Sequence, residues 1–221
     1  MTDKRYELTF IRKKHEYGDV YSFEFSSPTP VDFTPGQFGN FLLYGHDTSE
    51  KNVTRKFSFT NLPGENVSIT THVREKSSFK QELGALKEGD PFILFQVKGT
   101  FVLPEPLEQP IVLVAAGIGI TPIHSMLKAH AGKDEDITLV HVSDGDYLFE
   151  EELAALPFSQ FRITSKEINA YLETLHKEKR DAKFYVSGPP GFVDVMKEVL
   201  QKLGVEEKNI KQDWFDGYED L

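Results

Sequence analysis

The chain has 221 residues, 39% of them hydrophobic and 27% charged, enough for one large domain or two small ones with real cores. A formal net charge of −10 argues against a nucleic-acid binder, which needs clustered Lys and Arg against phosphates. No cysteine is present, so disulfides, thiolate metal sites and all-cysteine iron–sulfur clusters are excluded within this sequence.

The opening "MTDKRYELTF" has no apolar signal region, and no run approaches the roughly 18 apolar residues of a membrane span. A cytoplasmic location is expected. From there to about Pro104 the pattern is β. "YELTFIRKK", "VYSFEFSS", "QFGNFLLYG", "RKFSFTN" and "VSITTHVRE" are short aromatic or β-branched runs, mostly alternating with period two. Turn chemistry bounds them at "SPTP", "TPGQ", "NLPGEN" and "KEGDP", which predicts an antiparallel barrel or sandwich. One helix interrupts, "SSFKQELGAL", with Ser78 expected at its N-cap and Gln81 at capping-box spacing.

After "LPEPLEQP" the rhythm becomes β–α–β–α. "IVLVAA", "DITLVHV", "QFRIT" and "AKFYVS" read as strands of a parallel sheet covered on both faces. Between and after them, "TPIHSMLKAHA", "YLFEEELAAL", "KEINAYLETLHKEKR" and "GFVDVMKEVLQKLG" read as helices. The last places Phe192, Val195, Met196, Val199, Leu200 and Leu203 on one stripe. The expected organisation is a β domain over 1–106 and a doubly wound, nucleotide-binding α/β domain over 107–221.

The stretch "IVLVAAGIGITPIHSML" ends a buried strand at Ala116 and sets Gly117 and Gly119 where a backbone must pass something bulky. Thr121 and Pro122 then open a helix as N-cap and N1, whose N-terminus suits a dinucleotide's pyrophosphate. The third glycine of the usual fingerprint is replaced by Pro122. "KFYVSGPPGF" repeats the construction, with Ser187, Gly188, Pro189, Pro190 and Gly191 at a strand's C-terminal end. In the β half, "TRKFSFTN" alternates Arg55 and Phe57 against Lys56 and Ser58; a flat ring could rest on Phe57 while its phosphates meet Arg55. Read alone, this octamer favours an exposed strand start with core phenylalanines.

Together these segments resemble the ferredoxin–NADP reductase superfamily. "RKFSFT" resembles its RxYSxx flavin motif with Phe57 for tyrosine, and "FTPGQF" precedes it as in the family. "GTFVLP" is similar to its glycine-turn flavin segment, "GIGITP" to its nicotinamide loop, and "VSGPPGF" to its CGPP loop with Ser187 for cysteine. "FDGY" resembles the aromatic tail that many bacterial members lay on the flavin. The resemblance implies FAD bound through Arg55, Lys56, Phe57, Ser58, Thr60, His72, Val73, Arg74, Ser77, Ser78, Gly99 and Thr100. It implies NADH or NADPH bound through Gly117, Gly119, Thr121, Pro122, Ser143, Asp144, Gly188 and Pro189, with Ser58, Ser187 and Phe215 at the reacting centre and Asp213 near the flavin. Trp214 is expected to close the second domain's core as part of its last strand. Asp144 stands where the family's NADPH users tend to carry an arginine, with Asp146 nearby, which favours NADH.

The implied activity is a reductase that passes a hydride from nicotinamide to flavin and electrons onward to a separate acceptor: a ferredoxin, a flavodoxin or a small molecule such as a ferric chelate. The alternative is a regulatory or sensory flavoprotein that turns over poorly, for which Ser187 is the support. No histidine pair has metal-binding spacing, and neither Ser125 nor Ser165 has a His/Asp arrangement for hydrolysis.

Overall fold

The computed structural model describes residues 4–214, so the expectations for Phe215 and the rest of the tail fall outside the described residues. The chain divides into two compact units, Met1–Val102 and Leu103–Leu221.

Unit 1 is a six-stranded, wholly antiparallel sheet. Its strands are β1 (Tyr6–Tyr17), β2 (Val20–Ser26), β3 (Phe38–Leu42), β4 (Thr54–Ser58), β5 (Val67–His72) and β6 (Pro91–Lys98), in the spatial order β4-β3-β6-β1-β2-β5. The edge strands come together beyond β4, where the Thr60 N–H donates to the Ser68 carbonyl at 2.9 Å and Thr60 Oγ1 donates to Ser68 Oγ. Hence the sheet curls into a barrel. Its interior is aromatic: Phe25 stacks on Phe92 at 5.0 Å and Phe33 on Phe59 at 4.3 Å, each buried ring contributing about 1.5–3 kcal/mol. The single helix, α1 (Ser78–Ala85), seats Phe79 and Leu83 in this core.

Two expectations change here. The N-cap of α1 is Ser77, whose hydroxyl accepts from the Lys80 N–H, so Ser78 is the first helical residue and Gln81 lies past capping-box reach. A sixth strand, β6, fills the middle of the sheet although its sequence shows little alternation. Phe92, Ile93 and Leu94 are consecutively buried, and the register of β6 against β3 shifts between Asn40 and Phe41.

Unit 2 is a five-stranded, all-parallel sheet of β7 (Ile111–Ala116), β8 (Ile137–Val142), β9 (Ser159–Ile163), β10 (Lys183–Gly188) and β11 (Ile210–Trp214), ordered β11-β10-β7-β8-β9. Between the strands run α2 (Ile120–His130), α3 (Glu150–Ala154), α4 (Ile168–Glu178) and α5 (Pro190–Lys202). Val112, Val114, Val140, Phe184 and Val186 pack on one side against Leu172, Val193 and Leu200 of α4 and α5. Their neighbours Leu113, Leu139 and Tyr185 are equally buried, so the middle of the sheet is covered on both faces. β9 departs from this, being an edge strand that is mostly exposed. The apolar stripe of α5 is also rotated: Val193, Met196 and Leu200 are buried, whereas Val195 is 51% exposed. Among the described residues no helix is long and apolar enough to cross a membrane, and no cluster of His, Cys, Asp and Glu is arranged to hold a metal.

Candidate functional site

In unit 1 the chemistry gathers around the N-terminus of α1. Arg55 leaves β4 with its Nη1 donating to the Thr54 carbonyl at 2.7 Å and its guanidinium 5.7 Å from the centre of the Phe79 ring. Among the described residues it has no carboxylate partner. Beyond β5, Arg74 Nε donates to Asp19 Oδ2 at 2.7 Å and His72 Nδ1 meets Asp19 Oδ1 at 2.5 Å. Burial opposes ionisation of Asp19, but the hydrogen bonds from His72 and Arg74 win and hold its carboxyl below the usual range. Burial also pushes His72 down, against the pull of Asp19, which disfavours its charged form.

Lys80 completes the cluster. Its ammonium is half-buried, and its pKa falls to about 8, first through burial and then through the charges of Arg74 and Arg55. Lys80 lies outside the set of residues expected from the sequence. The signal was there: a lysine three positions after the N-cap, in a first turn without acids, opposes the helix dipole and needs another reason to be present. Lys56 points the other way, exposed, with its ammonium 5.9 Å from the Phe38 ring.

Phe57 corrects an expectation. Its ring is only 6% exposed and packs in the core beside Phe41 at 5.7 Å and Phe79 at 5.9 Å, so it offers no open face for a flat ring system. Ser58 ends β4 and is buried too, opposite Phe38 of β3. Thr60 belongs to the barrel closure, and the Val73 N–H donates to the Asp19 carbonyl. Gly99 adopts φ +116°, a conformation favouring glycine, and its carbonyl accepts from Gln37 Nε2; Thr100 follows it, exposed.

In unit 2 the expected residues lie at the carboxyl ends of three adjacent strands. Gly117 follows β7, Ser143 and Asp144 follow β8, and Ser187 and Gly188 finish β10. The chain order reverses between β7 and its two neighbours, which makes this the switch point where open α/β sheets bind ligands. The two glycines of "GIG" have different reasons to exist. Gly117 adopts φ +51° with open space where a Cβ would stand. Gly119 has an ordinary helical φ of −59°, but a Cβ on it would lie 2.5 Å from the Ser187 carbonyl carbon and 2.7 Å from Gly188 Cα. The bulky neighbour that demands glycine at 119 is therefore the protein's own β10.

The helix start also differs from expectation. The chain turns into a 3₁₀ turn at Gly117–Gly119 and continues as α2 from Ile120, with Gly119 at the cap position. Thr121 is not an N-cap; it is buried and its hydroxyl donates back to the Ile118 carbonyl at 3.0 Å. Pro122 stands within the first turn, where no partner for an N–H is required. A residue outside the expected set supports the loop. His141 of β8 is 2% exposed, hydrogen-bonded to the backbone of Gly117, and held down to about pKa 4, mainly by burial.

Ser187 is fully buried, and among the described residues its hydroxyl has no hydrogen-bond partner. Such orphans are uncommon in native proteins and ask for a ligand or a water. Pro189 caps α5 and precedes Pro190 at its start. After β8, Ser143 Oγ donates to the Asp146 carbonyl and accepts from the Gly145 N–H, closing its own turn. Both oxygens of Asp144 are engaged by Ser165, from its N–H at 2.9 Å and its hydroxyl at 2.6 Å. In β11, Asp213 is half-buried opposite Ser187 in the strand register. Trp214 does end the last strand, yet at 53% exposure it closes no core.

No protein-family model matches the chain. A flavohemoprotein of Bacillus subtilis is 27% identical over 240 residues, covering 96% of this chain and 60% of that protein. The toluate 1,2-dioxygenase electron transfer component of Pseudomonas putida is 25% identical over 231 residues, covering 94% of this chain and 66% of that protein. The chain thus spans about half to 60% of the length of the flavohemoproteins it matches. In three dimensions it resembles a ferredoxin NADP+ reductase from Neisseria gonorrhoeae with bound FAD and NADP, at TM-score 0.80 and 20% identity over 95% of this chain and 98% of that one.

Proposed function

We propose that this chain, which has the two-sheet fold of ferredoxin–NADP reductase-type modules, is an FAD-dependent NAD(P)H oxidoreductase serving a separate electron acceptor. The observation that carries this reading is that each unit holds its own cluster with phosphate-binding chemistry. Unit 1 has an arginine, Arg55, that among the described residues has no carboxylate partner and lies beside a helix N-terminus, in a chain of net charge −10. Unit 2 has a glycine turn, a buried orphan hydroxyl and a strand-end carboxylate at a switch point.

A bound flavin supplies the redox chemistry, accepting a hydride from a nicotinamide and releasing electrons singly; the protein supplies binding and orientation. Arg55 and the backbone N–H groups at the start of α1 hold the FAD diphosphate, with Gly99 and Thr100 on the flavin side. By the family resemblance, Ser58 would lie towards the flavin ring. Gly117 leaves room for the backbone of the second dinucleotide, and Ser187, Gly188 and Pro189 receive its nicotinamide end. Asp144 carries a negative charge to the ribose, favouring NADH over NADPH. The acceptor is a ferredoxin, a flavodoxin or a small oxidant such as a ferric chelate. Cofactor release followed by chromatography tests the first step and should yield FAD; recovery of FMN alone would overturn it. Reoxidation of the reduced protein by each acceptor class in turn then identifies the onward path by its rate.

A further inference from the structure

We infer that Lys80 is a third cationic ligand of the FAD diphosphate, and that it takes up a proton as the diphosphate binds. The inference rests on the flavin reading above and adds to it a residue and a coupled ionisation.

Three cations from different elements meet at the start of α1. Arg55 of β4 has its guanidinium 5.7 Å from the ring of Phe79, the residue before Lys80. Arg74 lies in the segment that leads into the Ser77 N-cap, and Lys80, in the first turn, is close enough for both arginines to act on it. The charged and titratable groups acting on Lys80 are Arg55, Arg74 and Asp19, and Lys80 in turn acts on His72. Asp19 is the single carboxylate among them, and its oxygens are already taken by His72 and Arg74. His72 contributes no charge while it stays neutral. A protonated Lys80 therefore leaves the cluster with a surplus of two positive charges, matching the two negative charges of a dinucleotide's diphosphate.

The Lys80 ammonium makes no hydrogen bond or ion pair among the described residues, and half-burial denies it much of the compensation of water. Without an anion the charged form of Lys80 is disfavoured and its pKa is lowered to about 8 from the ordinary value of 10.5. A diphosphate reverses both causes at once, replacing lost water with charged acceptors and cancelling the repulsion of the two arginines. The sign follows: the empty cluster is partly deprotonated at pH 8, the filled one is fully protonated, and binding consumes the difference.

The test is calorimetric. Flavin-stripped full-length chain is titrated at pH 8 with FAD, and separately with riboflavin, in two buffers of different ionisation enthalpy. The FAD heats should differ between buffers by uptake of about half a proton per site, since the group sits at its midpoint there. Riboflavin, lacking the diphosphate, should show no such difference. Lys80→Arg should abolish the uptake while holding FAD affinity within about threefold, and it should flatten the weakening of FAD binding above pH 8. Lys80→Met should abolish the uptake and weaken FAD by about tenfold. FAD binding whose heat is independent of buffer, or uptake that persists in Lys80→Arg, overturns the role of Lys80 and leaves the flavin reading standing. A folded protein that binds no FAD overturns both.

Discussion

Replacing Gly119 by alanine separates two readings of the glycine loop by the sign of a stability change. At φ −59° alanine is conformationally welcome, and in open space the change would stabilise the fold by about 0.4–1 kcal/mol through the unfolded chain. Here the new methyl would meet the Ser187 carbonyl carbon at 2.5 Å and Gly188 Cα at 2.7 Å. Both are backbone atoms in a strand hydrogen-bonded between β7 and β11, so no rotamer change can make room. Either the 3₁₀ turn or the end of β10 must move, which places the cost at or above the upper part of the usual 1–3 kcal/mol for overpacking. A net loss of about 3 kcal/mol is expected, measured as the shift in urea midpoint at unchanged slope. Gly117→Ala is the control: among the described residues no atom beyond its chain neighbours lies within 4 Å of its Cβ, and only the positive φ costs, about 1–2 kcal/mol. A Gly119→Ala protein as stable as the parent, or more so, would refute the claim that β10 dictates this glycine.

Three further outcomes follow from the same geometry. His141 is neutral in the fold to about pH 4 against 6.5 when exposed, so its contribution is fully present above pH 6.5 and lost as pH falls towards 4, amounting to about 3 kcal/mol; urea midpoints at pH 7 and 4.5 should differ less in His141→Gln than in the parent, and an equal acid loss would refute this. Arg55→Ala should weaken FAD binding by about 1.5–3 kcal/mol and exposed Lys56→Ala by much less, read from flavin retention on dialysis; equal losses would remove Arg55 from the site. NADH should give the higher kcat/KM, and Asp144→Asn should narrow the gap while Ser165 still has a hydrogen-bonding partner; a tenfold preference for NADPH in the parent would refute the assignment.

The division into a β half and an α/β half was legible because the signals are strong. Alternation in β2 and buried runs such as "IVLVAA" follow from how many faces of each strand are covered. β6 escaped because a central strand next to a register shift buries Phe92, Ile93 and Leu94 together, which erases the period of two. The starts of α1 and α2 were displaced because capping preferences name residue types, and "SS" and "GIGITP" each offer more than one. The positions of Arg55, Ser187 and the glycines could be read in the sequence, but their reasons could not. That Phe57 faces the core and Gly119 faces β10 depends on which neighbour the fold brings up. The Asp19–Arg74 pair and its link to Lys80 join residues far apart in the chain, and pattern within one segment cannot show such contacts.

The most direct measurement for the account as a whole is anaerobic mixing of the FAD-loaded protein with NADH while the flavin absorbance is followed. The yellow colour should bleach rapidly, to an extent set by NADH, and return when an electron acceptor is added. A folded protein that holds FAD but does not bleach, or bleaches too slowly to sustain turnover with any acceptor, would contradict the assignment as a reductase.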